Sequence, residues 1–338
     1  MNKATEKTYI PRKDNARSCC NGTAAILFMK QIIYLEPVLK ENLWGGTRLA
    51  EYGYDLPSDH VGECWGVSAY PSSCCTVRGG KYHGRRLDDL WREEPELFGR
   101  TKEPQDFPLL IKIIDAQQDL SIQVHPDDDY AREHENGACG KTECWYVLDA
   151  QPGATIVIGH HAQSKEDLER MIADGRFRDL IREVPVKAGD FFQIEPGTVH
   201  AIKAGTMVLE TQESSDVTYR LYDYDRLQNG KKRPLHIKQS IDVIRTPFEP
   251  KQIRPVTCSM SAAKLTKYFD CRFYTVYKLE ANGIADVPLS GMFHTMSVID
   301  GEGYLDGGRV EKGDHLILTA GYGSMHVVGN FTAIVTRV

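Results

Sequence analysis

The chain has 338 residues, 41% of them hydrophobic and 26% charged, enough apolar material for a substantial core and, by length, for two domains. A formal net charge of −6 excludes a sequence-nonspecific nucleic-acid binder, which needs a basic surplus against phosphates. No apolar run approaches the ~18–20 residues that span a bilayer, so no membrane partner is expected.

The first 28 residues carry charge without periodicity, and the apolar run 24–29 is too short for a signal segment. Met29 opens "MKQIIYLEPVLKENLWGG", which reads as a natural start, so 1–28 is expected to be a disordered extension. The nine cysteines are odd in number and lack C-x-x-C spacing, which favours reduced thiols in a cytoplasm over disulfides or a cysteine-built zinc site.

From Met29 to about residue 249, short β-type runs alternate with Gly, Pro and Asp turns: "ECWGVSAY" (63–70), "LLIKIIDA" (109–116), "LSIQV" (120–124), "ECWYVLDA" (143–150), "TIVIG" (155–159), "DFFQI" (190–194), "TMVLETQ" (206–212) and "VTYRLYDY" (217–224). Such spacing predicts a sandwich or barrel. A helix is predicted over 164–184, from Leu168, Met171, Ile172, Leu180 and Ile181, with Ser164 and Asp167 resembling a capping box. A smaller helix is predicted over 85–99, and the basic run Lys231-Lys232-Arg233 reads as a solvated loop. After a Pro-flanked boundary near residue 250, strands resume at 273–280, 295–306, 314–321 and 331–338, echoing the turn pattern of the first part.

Three strands put chemistry on one face. Side chains alternate along a strand, so Ser121, Gln123 and His125 share a side while Ile122 and Val124 take the other. The same arithmetic groups Lys141, Glu143 and Trp145, and groups Thr218, Arg220 and Tyr222. Polar inward faces make sense around the mouth of a barrel that holds a metal or substrate. His125, Glu143 and His200 supply two imidazoles and a carboxylate, a set suited to Zn²⁺, Fe²⁺ or Mn²⁺, and Gln123 can add a carbonyl oxygen. Hydrogen-bonded structural roles suit His83, His134, His160, His161, His236 and His326, and "HPDDD" alone reads as a solvated turn.

The motifs around His125 and His200 resemble the paired motifs of cupin barrels, with Gln123 in place of the first histidine and Glu195 where a proline is usual. More specifically, "LEPVLKENLWGG" (35–46), "GECWGVSAYP" (62–71), "FPLLIKIIDAQQDLSIQVHPDD" (107–128), "GKTECWYVLDA" (140–150), "EPGTVHAI" (195–202) and "TYRLYDYDR" (218–226) resemble the type I phosphomannose isomerases, in their short bacterial form. The resemblance implies a mainly β chain: two cupin-like (jelly-roll) β-barrels with a few inserted helices, 29–249 holding the metal and 250–338 a second barrel without one. It implies one Zn²⁺ per chain on His125, Glu143 and His200, with Gln123 at a fourth position. Arg220 is then a catalytic arginine, and Lys141 and Ser121 hold the substrate phosphate.

The activity implied is interconversion of mannose 6-phosphate and fructose 6-phosphate through a cis-enediol(ate). The protein would be cytoplasmic, a monomer or weak homo-oligomer whose partner is a small sugar phosphate. A salt bridge to Asp223 or Asp225 is the alternative for Arg220. The proton-transfer base stays open among metal-bound water, Lys141, Glu210 and a further histidine. The rival functions are a non-catalytic sugar-phosphate-binding cupin and an isomerase of another sugar.

Overall fold

Residues 30–100, 106–228 and 230–338 are described by the computed structural model, and the expected extension at 1–28 lies outside them. The chain is mainly β, and every sheet is antiparallel. A six-stranded sheet runs in the order Phe191–Ile194, Glu143–Ala150, Thr206–Glu213, Leu109–Ala116, Val61–Val67, Val38–Gly46. A five-stranded sheet runs Tyr219–Tyr222, Ile122–Val124, His200–Ile202, Thr155–His160, Ile181–Pro185.

Alternation along these strands sorts their residues between two environments. In the six-stranded sheet, Ile111, Ile113, Cys144, Tyr146, Met207 and Leu209 face one way and join the largest apolar cluster. Their neighbours Ile114, Trp145, Val147 and Val208 face the other way, into a cluster shared with Ile156 and Ile202 of the five-stranded sheet. Ile122, Val124, Val157, Ala201, Tyr219 and Leu221 form the back of that second sheet, packed under helical residues Leu168, Met171, Ile172 and Leu180. Lys112, Glu143, Glu210, Gln123, His200 and Arg220 therefore belong to the inner faces, where the two sheets meet.

The predicted helix over 164–184 forms as two pieces, Lys165–Ala173 and Phe177–Leu180. Gly175 breaks it with φ 68°, and Ile181–Pro185 then pairs with Thr155–His160 as a sheet edge. The Ser164 hydroxyl accepts the Asp167 N–H at 3.2 Å, and the Asp167 carboxylate reaches back to the Gln163 N–H at 3.1 Å. Over 85–99 the helix is Leu87–Glu93, followed by a 3-10 turn. "HPDDD" differs from its reading as a turn: Asp127 caps a helix at Asp128–His134 by accepting the Tyr130 N–H. His160 ends a strand, with Nε2 2.9 Å from the Arg245 carbonyl, a structural role.

The C-terminal strands build a nine-stranded sheet, and two strands from the start of the chain complete it. Ile32–Glu36 pairs with His315–Leu318, and Thr76–Arg78 pairs with Ile32–Glu36, so the two sides of residue 250 share a sheet. Ile33, Leu35, Ile317 and Ile334 pack in the same cluster as Ile111 and Ile113, which fastens the nine-stranded sheet to the back of the six-stranded one. Gly66 lies at a close approach between them: a Cβ there would meet the His315 ring at 2.2 Å. His315 cannot swing away freely, because its ring nitrogens bond Ser297 at 2.8 Å and Tyr54 at 2.9 Å. Gly66→Ala is therefore expected to destabilise the protein by about 1–3 kcal/mol, the usual cost of overpacking, read as a lower midpoint in urea unfolding.

Candidate metal centre

Main-chain bonds fix the geometry before any side chain is considered. His125 stands just past Ile122–Val124, where its carbonyl accepts the Gly197 N–H at 2.9 Å. The next carbonyl, of Pro126, accepts the Lys141 N–H at 3.1 Å. One junction is thus stitched to the turn before His200 and to the entry of the strand carrying Glu143. His200 opens its own strand and pairs directly with Gln123.

The three side chains converge. Nε2 of His125 lies 3.4 Å from one Glu143 oxygen, and Nε2 of His200 lies 3.3 Å from the other. One donor atom from each fits within a 4.8 Å span, and all three residues are buried. The outer nitrogens are held: His125 Nδ1 is 2.9 Å from the Val217 carbonyl and His200 Nδ1 is 2.9 Å from the Thr198 carbonyl. Each Nδ1 therefore carries its hydrogen and donates, which leaves the Nε2 lone pairs turned toward one another and toward Glu143. Gln123 reaches the same spot, its amide nitrogen 3.2 Å from His200 Nε2. An amide rotated by a half-turn would present its oxygen there instead.

Neither Glu143 oxygen accepts a well-aligned hydrogen bond, although the Lys141 ammonium lies 2.8 Å from one of them. A buried carboxylate with its acceptors unspent, facing two imidazole lone pairs, is the donor set of a divalent-cation site. The residues fit a bound metal. Electrostatics agree. Burial opposes ionisation of Glu143, but Lys141 and the two imidazoles outweigh it and hold its carboxyl well below the usual range. Burial and then the Lys141 charge push His125 down to about 3, and burial lowers His200 too. Both imidazoles are kept neutral, as ligands must be.

The triad lies directly behind Gln123 and Lys141, which line a cavity of about 290 Å³ between the two sheets. Ser121, Gln123, Lys141, Trp145, Thr218 and Arg220 line it, as the strand arithmetic requires. Tyr222 does not join them. A bulge between Arg220 and Tyr222 shifts the register by one residue and turns Tyr222 to the outside, where it stacks on Phe177 at 4.5 Å. Arg220 makes no ion pair among the described residues: Asp223 pairs with Arg226 and Arg233, and Asp225 pairs with Lys232. Lys141 sits at the metal end, with Nζ 3.2 Å from His125 Nε2.

Sequence reasoning passed over several lining residues. Lys112 lies 3.4 Å from both Glu63 and Glu210. Its signal was present, since "LLIKIIDA" carries one charge inside an otherwise apolar strand core. Arg233 and His236, read as a solvated loop and a structural histidine, also line the cavity. A larger cleft of about 720 Å³ opens between residues 36–55 and 301–314, but the convergent donor set is not there.

Comparison with known proteins agrees with this architecture. Residues 32–161 match the phosphomannose isomerase type I catalytic domain, and residues 264–338 match the mannose-6-phosphate isomerase cupin domain. The chain is 45% identical over 310 residues to the mannose-6-phosphate isomerase ManA of Bacillus subtilis, covering 90% of this chain and 98% of that protein. The chain belongs to the type I phosphomannose isomerase family. A second family member, the mannose-6-phosphate isomerase of Streptococcus mutans, is 47% identical over 86% of this chain and 93% of its own length. The crystal structure of the Bacillus subtilis mannose 6-phosphate isomerase superposes with TM-score 0.88 at 42% identity, covering 91% of this chain and 99% of that one. A phosphomannose isomerase structure from Salmonella typhimurium, at 16% identity and TM-score 0.71, shares the fold over 90% of this chain and 99% of its own.

Two outcomes test the centre. His125→Ala is expected to abolish stoichiometric divalent metal in the purified protein by elemental analysis; metal retained at wild-type level would move the ligand set elsewhere. The metal-free protein should also be acid-sensitive through His125. Its folded pKa of about 3 lies below the unfolded value near 6.5, so the unfolded chain binds the extra proton between those pH values. Stability must therefore fall as pH drops through that window, and His125→Gln should flatten the dependence of Tm on pH.

Proposed function

We propose that the chain interconverts mannose 6-phosphate and fructose 6-phosphate with one Zn²⁺ held by His125, Glu143 and His200, and Gln123 as a fourth donor. The observation that carries this reading is the convergence of a buried carboxylate and two neutral imidazoles just behind Gln123 and Lys141, in the wall of a cavity that also holds Lys112 and Arg220. The names of the relatives support the substrate. The seven free cysteines among the described residues support a reducing, cytoplasmic setting, and we read the working unit as a monomer or weak homo-oligomer.

Isomerisation moves a proton between C2 and C1 and develops negative charge on the sugar oxygens. A divalent ion at the triad supplies Lewis acidity for that charge. The chain's own residues do the rest. The resemblance gives Lys141 to the phosphate, but its place beside Glu143 and His125 suits it instead to the oxygens at the reacting end. Arg220 brings a cation that does not titrate away and has no carboxylate of its own to neutralise it, suited to an enediolate. Ser121, 3.4 Å from Gln123, offers a hydroxyl along the same wall.

For the proton itself we assign Glu210. Its carboxylate lines the cavity, accepts the Trp145 indole N–H at 3.0 Å and lies near Lys112. Burial and then the Glu143 charge raise its proton affinity, which suits a group that must both take and return a proton. Trp145 packs edge-on against the His200 ring at 5.5 Å, tying acid and ligand into one rigid wall.

A coupled assay for fructose 6-phosphate, run with and without chelator, tests the reading; activity that survives complete metal removal would refute it. Arg220→Ala should lower kcat by two or more orders of magnitude while leaving metal content unchanged. Glu210→Gln should suppress exchange of the C2 hydrogen with solvent deuterium, and exchange at the wild-type rate would remove Glu210 from the proton path.

A further inference from the structure

Arg233 and His236 emerge from the four residues between the short strand Lys231–Lys232 and the helix Ile237–Val243, yet they face the cavity and not the solvent side alone. The stretch 233–236 is fastened to the edge strand of the five-stranded sheet. The Arg220 N–H donates to His236 Nδ1 at 3.1 Å, and the His236 N–H returns to the Arg220 carbonyl at 2.8 Å. The Arg220 guanidinium donates through Nη1 to the Pro234 carbonyl at 3.1 Å.

That first bond fixes a tautomer. With Nδ1 accepting from a main-chain N–H, the neutral His236 ring must carry its hydrogen on Nε2, as a donor. A proton added at Nδ1 would set two donors against each other. Arg233 grips Asp223 through Nε at 2.7 Å and Nη2 at 2.6 Å, which leaves its Nη1 without a partner among the described residues. Arg226 binds the same carboxylate. Arg226 and Arg233 share that one carboxylate and Arg220 pairs with none among the described residues, so three guanidiniums stand against one carboxylate and two positive charges are in surplus. The acids acting on Lys112, at the other wall, are Glu63, Glu210, Asp216 and Glu143, whereas the charges acting on Arg220 are Arg233, Asp223 and Arg226.

We propose that Arg233 and His236 seat the phosphate of the substrate, a specificity site for the reaction given above and dependent on that reading. A phosphate monoester carries about two negative charges at neutral pH, which matches the surplus. The span fits as well. Arg220, Gln123 and His200 lie in one row across three neighbouring strands, so at the usual strand spacing Arg220 stands roughly 10 Å from His200 along the sheet. An open-chain hexose laid along that row places its carbonyl end at the triad and its terminal phosphate at the 233–236 segment. Lys141 is thereby free to serve the metal end.

The test uses the metal-loaded protein with Arg233→Gln, Arg233→Lys and His236→Asn. Asparagine keeps an acceptor for the Arg220 N–H and removes only the Nε2 donor. Each loss of a charge-assisted or fixed donor should raise KM for mannose 6-phosphate at least about tenfold with kcat changed far less, and Arg233→Lys should recover part of the loss. Calorimetric binding of glucitol 6-phosphate, an unreactive analogue, should weaken by the same factors while metal content stays near wild type; Tm should hold in His236→Asn and fall in Arg233→Gln, which leaves Asp223 to Arg226 alone. Wild-type KM and wild-type analogue affinity in Arg233→Gln and His236→Asn would overturn the seat while leaving the isomerase intact. A wild-type protein that binds the analogue but does not isomerise mannose 6-phosphate would instead overturn the reaction, and the binding series would still decide the seat.

Discussion

Glu143 is a carboxylate kept ionised where no water reaches it. A buried charge without compensation is among the costliest arrangements a fold can hold, and removing its partners is more damaging than never having the charge. Lys141 and the two imidazoles compensate it only in part, since neither oxygen takes a well-aligned hydrogen bond. The local structure around it is accordingly over-determined: carbonyls of Val217 and Thr198 lock both rings, and main-chain bonds join His125 to the turn before His200. The protein tolerates that electrostatic demand because a cation can answer it.

The two β units differ in how their inward faces are filled. In the nine-stranded sheet the face turned away from the rest of the protein is closed by Met296, Val298, Leu316, Leu318, Val327, Ala333 and Val335, a continuous apolar cluster. Between the six- and five-stranded sheets, only one end is filled that way, by Trp44, Ile114, Val147, Ile156 and Val208. At the other end the same alternation delivers Lys112, Glu143, Glu210, Gln123 and His200. A β architecture thus becomes a site or a scaffold according to a few inward positions.

Much of this was legible in the chain because alternation is strict. Leu109–Ala116 and Glu143–Ala150 form over the residues expected, and the inward set from Ser121 to Trp145 follows by counting in twos. The triad was legible for the same reason, since each member lies at a strand or its end. What counting could not reach is where the period breaks. The bulge after Arg220 removes Tyr222 from the inner face, and Gly175 divides a helix whose apolar spacing looked continuous. Arg233 and His236 belong to a segment with no period at all. Its direction is set by hydrogen bonds to Arg220, and those depend on tertiary placement alone.

Charge follows the same division along the cavity. Near the triad, cations and carboxylates occur in contact: Lys141 with Glu143, and Lys112 with both Glu63 and Glu210. Burial lowers the affinity of an isolated lysine for its proton, yet these acids reverse the effect and raise that of Lys112. Toward Arg220 the balance reverses, and guanidiniums outnumber carboxylates. The second region suits an anion, while in the first Glu63, Glu143 and Glu210 outnumber Lys112 and Lys141, the excess a bound cation would answer. Such paired groups lose little when a polar substrate displaces water, because their mutual orientation is set before it arrives. Attraction and chemistry are in this way carried by different residues of one cavity, joined by the single row of Arg220, Gln123 and His200.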